Sequence, residues 1–156
     1  MILLDTNILV RNADPADPLF PTVDTSLRML RARGEDLCVV PQNLYEFWAT
    51  ATRSSVANGL GLTSLESQRR ILLTKRVYHF LPDLPALYAE WEALVGTYPC
   101  QGRVSYDARL VAAMRTHGIT RILTFNGADF TRFPWVVVID PVAVAGSSAS
   151  PPGRAP

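Results

Sequence analysis

Apolar residues fall into short runs, and longer stretches of helical spacing separate them. The runs occupy positions 2–4, 37–40, 78–81, 121–125 and 136–139. Polar or turn residues bound them: Asp5-Thr6-Asn7 after the first, Pro41 after the second, Pro82 after the third and Asp140-Pro141 after the last. Short apolar runs with such ends read as strands buried on both faces, the pattern of a parallel sheet. Between them, Val23, Leu27, Met29 and Leu30 recur at helical spacing over 22–33, and Gly34 stops that helix. Pro41 suits a first helical position and opens a helix to about residue 55. Further helices are expected from Ser64, over 86–95, and from Ser105 as N-cap through His117, with Gly118 as the stop. Positions 8–10 and 128–132 read as single helical turns. Segments 14–18, 58–61 and 98–103 are loops by composition.

Strands alternating with helices predict an α/β fold: three layers, α/β/α, around a mostly parallel central sheet. The 156 residues fit one domain over 1–142. The Ser, Pro, Ala and Gly enrichment near the end predicts a flexible tail over 143–156.

Composition narrows the classes. With 48% hydrophobic and 19% charged residues the chain has material for a core, so wholesale disorder is not expected. A net charge of +1 does not advertise a nucleic-acid binder, but acids gathered at one site can hide basic residues placed around it. Cys38 sits in an apolar run and Cys100 in a turn-rich stretch; neither belongs to a zinc-binding spacing or a disulfide framework. The N-terminus lacks the basic and long apolar segments of a signal peptide, and no apolar run is long enough to span a bilayer. A soluble, cytoplasmic protein without membrane association is the expectation.

Function in open α/β sheets concentrates at the carboxyl ends of the strands. Asp5 follows the first strand, and Glu46 lies in the early turns of the helix after the second. Asp107 is near the start of the helix at Ser105, and Asn126 and Asp129 follow the run ending at Phe125. Each has a plainer reading alone. Asp5 can cap a turn, Asp107 can complement a helix dipole, Asp129 can cap the next turn, and a helical Glu is usually solvated. Together, four segments bring acidic groups to one sheet edge. Their repulsion is relieved by a divalent cation with oxygen ligands, magnesium or manganese, and phosphodiester hydrolysis is the natural use of such a site.

These residues carry a family resemblance. Leu3-Leu4-Asp5-Thr6-Asn7, Glu46, Tyr106-Asp107-Ala108-Arg109-Leu110, His117-Gly118, Ile122 through Phe130 and Asp140-Pro141 occur in this order over residues 1–142. The chain resembles the PIN-domain nucleases and, within them, the VapC toxins of toxin–antitoxin pairs. The resemblance implies a magnesium-dependent endoribonuclease, with manganese as substitute, that leaves 5′-phosphate and 3′-hydroxyl ends. It implies Asp5, Glu46, Asp107 and Asp129 as catalytic acids and metal ligands, with Asn126 beside them. Asn126 offers a carbonyl oxygen without charge, so one metal ion is expected to be held firmly and a second only with substrate present. Thr6, Asn7 and Thr124 are expected to hydrogen-bond the carboxylates or metal waters. Arg53, Arg103 and Arg109 are candidates for holding RNA phosphates. A VapB-type antitoxin and a homodimer are the implied partners, and the stretch around Leu44-Tyr45-Phe47-Trp48 and the helix from Ser64 are candidate walls of an antitoxin groove.

Three alternatives stay open at this stage. A PIN ribonuclease of RNA processing or decay would share the motifs without being a toxin. A non-catalytic PIN-like module would bind RNA or protein. A phosphatase with an aspartyl nucleophile would need an acid two residues after Asp5, where Asn7 stands.

Overall fold

The computed structural model describes residues 1–147. Five strands form one sheet: β1 (Ile2–Leu4), β2 (Leu37–Val39), β3 (His79–Phe80), β4 (Arg121–Leu123) and β5 (Val137–Ile139). Their order is β3-β2-β1-β4-β5, and every neighbouring pair is parallel. β2 and β4 are shorter than their apolar runs because the last residues of those runs already leave the sheet. Val40 caps the helix after β2, and Thr124 and Phe125 leave the ladder after β4.

The sheet is apolar on both faces, and the two-residue period of a strand sorts its side chains. Ile2, Leu4, Leu37, Val39 and Leu123 enter one core. Leu3, Cys38 and Ile122 enter the other. The first core is covered by α1 (Thr6–Asn12), α2 (Phe20–Ala32), α3 (Pro41–Thr52) and α7 (Pro141–Gly146), through residues such as Ile8, Leu27, Phe47 and Val144. The second is covered by α5 (Leu87–Thr97) and α6 (Val104–Thr116), through Leu94, Val111 and Met114. Helix α4 (Ser64–Val77) lies outside, against α3 and β3, and Ser67 is its buried residue. Cys38 is fully buried, and burial pushes its thiol up to about 12, so it is an inert core residue. Among the described residues no helix is long and apolar enough to cross a membrane.

Local chemistry moves several boundaries. The polar triplet after β1 is no loop. Asp5 is an extended N-cap whose carboxylate accepts the Thr6 N–H at 2.6 Å, so α1 begins at once with Thr6 and Asn7 in its first turn. Ser105 is not an N-cap: α6 begins at Val104, and the Ser105 hydroxyl turns back to donate to the Gly102 carbonyl at 2.8 Å. Helix α2 starts at Phe20 because Asp17 takes the backbone N–H of Leu19 on its carboxylate and that of Phe20 on its carbonyl. Gly34 and Gly118 follow α2 and α6 with φ of +75° and +66°, the left-handed stop that glycine adopts without penalty.

The tail boundary is corrected too. Asp140 caps α7 by accepting the Val142 N–H, Pro141 occupies its first turn, and Val144 buries against α2, so the domain runs past residue 142. The remainder of the expected tail, 148–156, lies outside the described residues. Substituting Val144→Asp sets an unpaired charge against this core. The expected loss is about 2 kcal/mol or more in urea unfolding, whereas a free tail would show no change.

Candidate active site

The strand order reverses at β1, with β2 on one side of it and β4 on the other. A crevice opens at that switch point beyond the carboxyl ends of the strands. It is an open cleft of about 400 Å³, and Asp5, Glu46, Asp107 and Asp129 all line it. Four segments deliver them: the N-cap of α1, the second turn of α3, the first turn of α6, and the 3-10 turn Gly127–Phe130 after β4. That turn is pressed onto the sheet, because a Cβ on Gly127 would meet Val138 Cγ1 at 2.9 Å. Only glycine lets the backbone carrying Asp129 approach so closely.

Two of the acids are held by hydrogen bonds. Asp5 Oδ2 accepts from Thr124 Oγ1 at 2.5 Å and from Asn7 Nδ2 at 2.7 Å, while Oδ1 accepts the Thr6 N–H. Asn7 Nδ2 also donates to Thr124 Oγ1, which accepts the Asn126 N–H as well. Glu46 Oε2 accepts from Thr6 Oγ1 at 2.6 Å, and Oε1 accepts from Gln42 Nε2 at 2.8 Å. Thr6, Asn7 and Thr124 thus stand where the sequence placed them, beside the carboxylates. Asp107 and Asp129 differ: their carboxylates accept no hydrogen bond from a described residue. Asn126 lines the cleft from an exposed position, and its side-chain amide is likewise without such a bond.

The electrostatics reflect crowding. Burial raises the Asp5 carboxyl above its ordinary value, the bonds from Thr124 and Thr6 pull it back, and the charges of Glu46 and Asp129 push it up again. Burial also lifts Asp107 to about 6, helped by the charges of Asp129, Asp5 and Glu46 and opposed by Arg132. Asp107 therefore lies within Coulombic reach of the other three acids, and Asp5 within reach of Glu46 and Asp129. The four do not close into a cage: among the described residues no three His, Cys, Asp or Glu side chains are grouped as ready metal ligands. An open set of oxygen donors, two of them free of hydrogen bonds, suits a hard cation that keeps several of its waters.

None of the three candidate RNA-binding arginines lines the cleft. Arg53 and Arg103 are exposed and do not line the cleft. Arg109 lies two residues from Asp107, roughly 200° around the helix, and is engaged elsewhere. Its Nη2 donates to Asp83 Oδ2 at 2.6 Å and its Nη1 to Gln42 Oε1 at 3.1 Å. The cation lining the cleft is Arg11, on α1, paired through Nη1 with Asp17 at 2.9 Å and stacked 5.2 Å from the Phe125 ring centroid. Its signal in the sequence was a place one helical turn after Asn7. Gln42 was also missed; at i−4 from Glu46 it shares a helix face with it.

A family model, PIN domain, matches residues 2–136. No curated protein matches the chain significantly. Solved structures of similar fold include a chain of VapBC2 from Rickettsia felis bound to a DNA fragment from their promoter, with 15% identity, TM-score 0.68, and coverage of 90% of this chain and 98% of that one. Another is Mycobacterium tuberculosis VapC20, described as a Sarcin-Ricin loop cleaving toxin, with 16% identity, TM-score 0.64, and coverage of 84% and 94%. A third is a toxin-antitoxin complex from Klebsiella pneumoniae, with 20% identity, TM-score 0.60, and coverage of 90% and 98%.

The Asp107 environment sets a pH dependence. Its folded carboxyl titrates above its unfolded value, so the folded state holds the extra proton between about 3.8 and about 6. Stability from this group falls as pH rises through that window and stays lower above it. Asp107→Asn should therefore stabilise the metal-free protein above pH 6, by about 1 kcal/mol after solvent screening. The gain should fade below pH 4. Urea unfolding with chelator present measures it, and a variant less stable than wild type at pH 8 would contradict the crowding argument.

Proposed function

The chain belongs to the PIN-domain family, and from that premise we propose that it is a magnesium-dependent endoribonuclease, the toxin of a VapBC-type toxin–antitoxin pair. The observation that carries the reading is the meeting of Asp5, Glu46, Asp107 and Asp129 in one cleft, from four separate segments. Asp5, Glu46, Asp107 and Asp129, with the Asn126 carbonyl, would hold the ion partly through its own waters, since no three of these acids are grouped as direct ligands. A magnesium or manganese ion bound there would supply the acidity to activate water and positive charge to offset the phosphodiester.

The chain's own groups do the rest. Thr6, Asn7 and Thr124 keep the Asp5 and Glu46 carboxylates aimed: Thr6 donates to both, and Asn7 and Thr124 donate to Asp5. Asp107 and Asp129 keep all their lone pairs for the cleft. Arg11 stands at the wall with Nη2 free of any partner among the described residues, placed to take a phosphate oxygen of the bound strand. The description of the M. tuberculosis neighbour supports RNA as that strand.

Partners belong to the same proposal. Tyr45 and Trp48 are exposed on α3 and, with Leu44, Ile71 and Phe80, line an open cavity of about 360 Å³. Leu44 and Phe47, the other residues of that stretch, are buried in the core. An apolar segment of a VapB-type antitoxin would fill this groove. Leu65, Leu72, Leu73 and Val77 leave further exposed apolar surface along α4, which suits a homodimer.

Cleavage of RNA should require magnesium or manganese and stop with chelator. Asp5→Asn should lower the rate at least about 100-fold without unfolding the protein. Equal cleavage in wild type and variant, with and without metal, would remove the proposal. For Arg11→Ala, KM should rise about tenfold with kcat nearly kept, and the salt dependence of RNA binding should weaken by about one phosphate contact. An unchanged KM would take Arg11 out of the binding surface.

A further inference from the structure

Gln42 lies in the first turn of α3, one helical turn before Glu46, and is only 6% exposed. A buried carboxamide is costly unless its donors and acceptor are all used. Here its Nε2 donates to Glu46 Oε1 at 2.8 Å and to the Tyr106 carbonyl at 2.9 Å, and its Oε1 accepts from Arg109 Nη1 at 3.1 Å. The amide has one chemically sensible orientation. Flipped, its oxygen would face a carboxylate and a carbonyl, and its NH₂ would face a guanidinium. Arg109 is fixed in turn by Asp83, at 2.6 Å, with both side chains about one-third exposed at 30% and 33%. The chain of bonds runs one way, from guanidinium to amide to carboxylate, so each bond polarises the next. It ends on Glu46, whose other oxygen is already taken by Thr6.

We propose that Asp83, Arg109 and Gln42 form a positioning relay that sets the orientation of Glu46 from outside the cleft. Glu46 has three side-chain torsions, and α3 alone leaves them free to turn its carboxylate away. The relay joins α3 to α6 and to the loop after β3, so it couples the carboxylate to the packing of three segments. Arg109 acts through its forked geometry: one terminal nitrogen holds Asp83 and the other aims Gln42. A lysine carries the same charge but cannot bridge both. A further consequence, which rests on the metal-site reading of the cleft, is that the relay tunes affinity for a divalent cation.

The test uses the full chain and the variants Gln42→Leu, Arg109→Lys and Asp83→Asn, with thermal midpoints checked for each. The first readout needs no metal: the carboxyl ¹³C resonance of Glu46, identified by its loss in Glu46→Gln. It should be a single line in wild type and should shift and broaden in all three variants. The second is manganese binding, followed by the paramagnetic resonance of the free ion. Affinity should fall about tenfold in Gln42→Leu and severalfold in the other two. The double variant Gln42→Leu/Asp83→Asn should be no weaker than Gln42→Leu alone, because the links act in series. An unmoved Glu46 line in folded Arg109→Lys and Asp83→Asn overturns the relay, even if Gln42→Leu fails to fold. Losses that simply add in the double variant overturn it as well. If wild type binds no manganese, the metal reading of the cleft and the affinity consequence fall together, while the Glu46 line still decides the positioning role.

Discussion

Four carboxylates share one cleft of about 400 Å³, and their mutual repulsion is the constraint that the surrounding structure answers. Burial and then the neighbouring charges of Asp129, Asp5 and Glu46 favour the protonated form of Asp107 and lift it to about 6. A folded chain can sustain the arrangement only if something else holds the acids in place. At Asp5 and Glu46 it is a set of short hydrogen bonds from Thr6, Asn7, Thr124 and Gln42. At Asp107 and Asp129 it is the backbone alone, a helix first turn and a 3-10 turn packed on the sheet. The two halves of the cluster are thus unequal: one is oriented by donors, the other is left open to the cleft.

The inequality follows from the sheet. The central strands β1, β2 and β4 alternate their side chains into two cores, so the middle of the sheet is dry on both faces. Polar groups can gather only where the strands end. Because β1 is central, Asp5 and Thr124 leave adjacent strands side by side and can bond directly. Glu46 arrives from the next strand over, one helical turn farther away, and needs Gln42 and Thr6 to bring it into line. The same geometry explains why the cleft has a cation on one wall: α1 begins directly after Asp5, so the helix that carries Thr6 and Asn7 also carries Arg11, one turn on, to the rim.

A good deal of this was legible in the linear chain. Apolar runs of three to five residues followed by Asp, Asn or Pro announce buried parallel strands and their order with helices, since only the hydrophobic period matters for that. The acids Asp5, Glu46, Asp107 and Asp129 were legible because each follows a strand or lies in the early turns of a helix, and open parallel sheets send such positions to one edge. Element ends were less legible. Whether Asp5 caps a loop or a helix, or whether Ser105 caps α6, depends on single hydrogen bonds that compete within a fraction of a kcal/mol. Helix α7 was hidden because its short Pro141–Gly146 segment has little helical pattern of its own and is stabilised by docking Val144 on α2.

The sequence by itself determined the two-faced sheet, the alternation of layers and the identity of the acids, because these depend on local periodicity and on chain order. Only the tertiary structure decided which polar residues serve those acids. Arg109 looked like a free cation in the chain and is instead tied to Asp83 and Gln42, which lie 26 and 67 residues away. Gln42 looked like an ordinary helical glutamine and is buried against Glu46 and Tyr106. The physical reason is the same in each case: a side chain's role is set by the partner it meets across the fold, and long-range pairing leaves no period in the sequence to read.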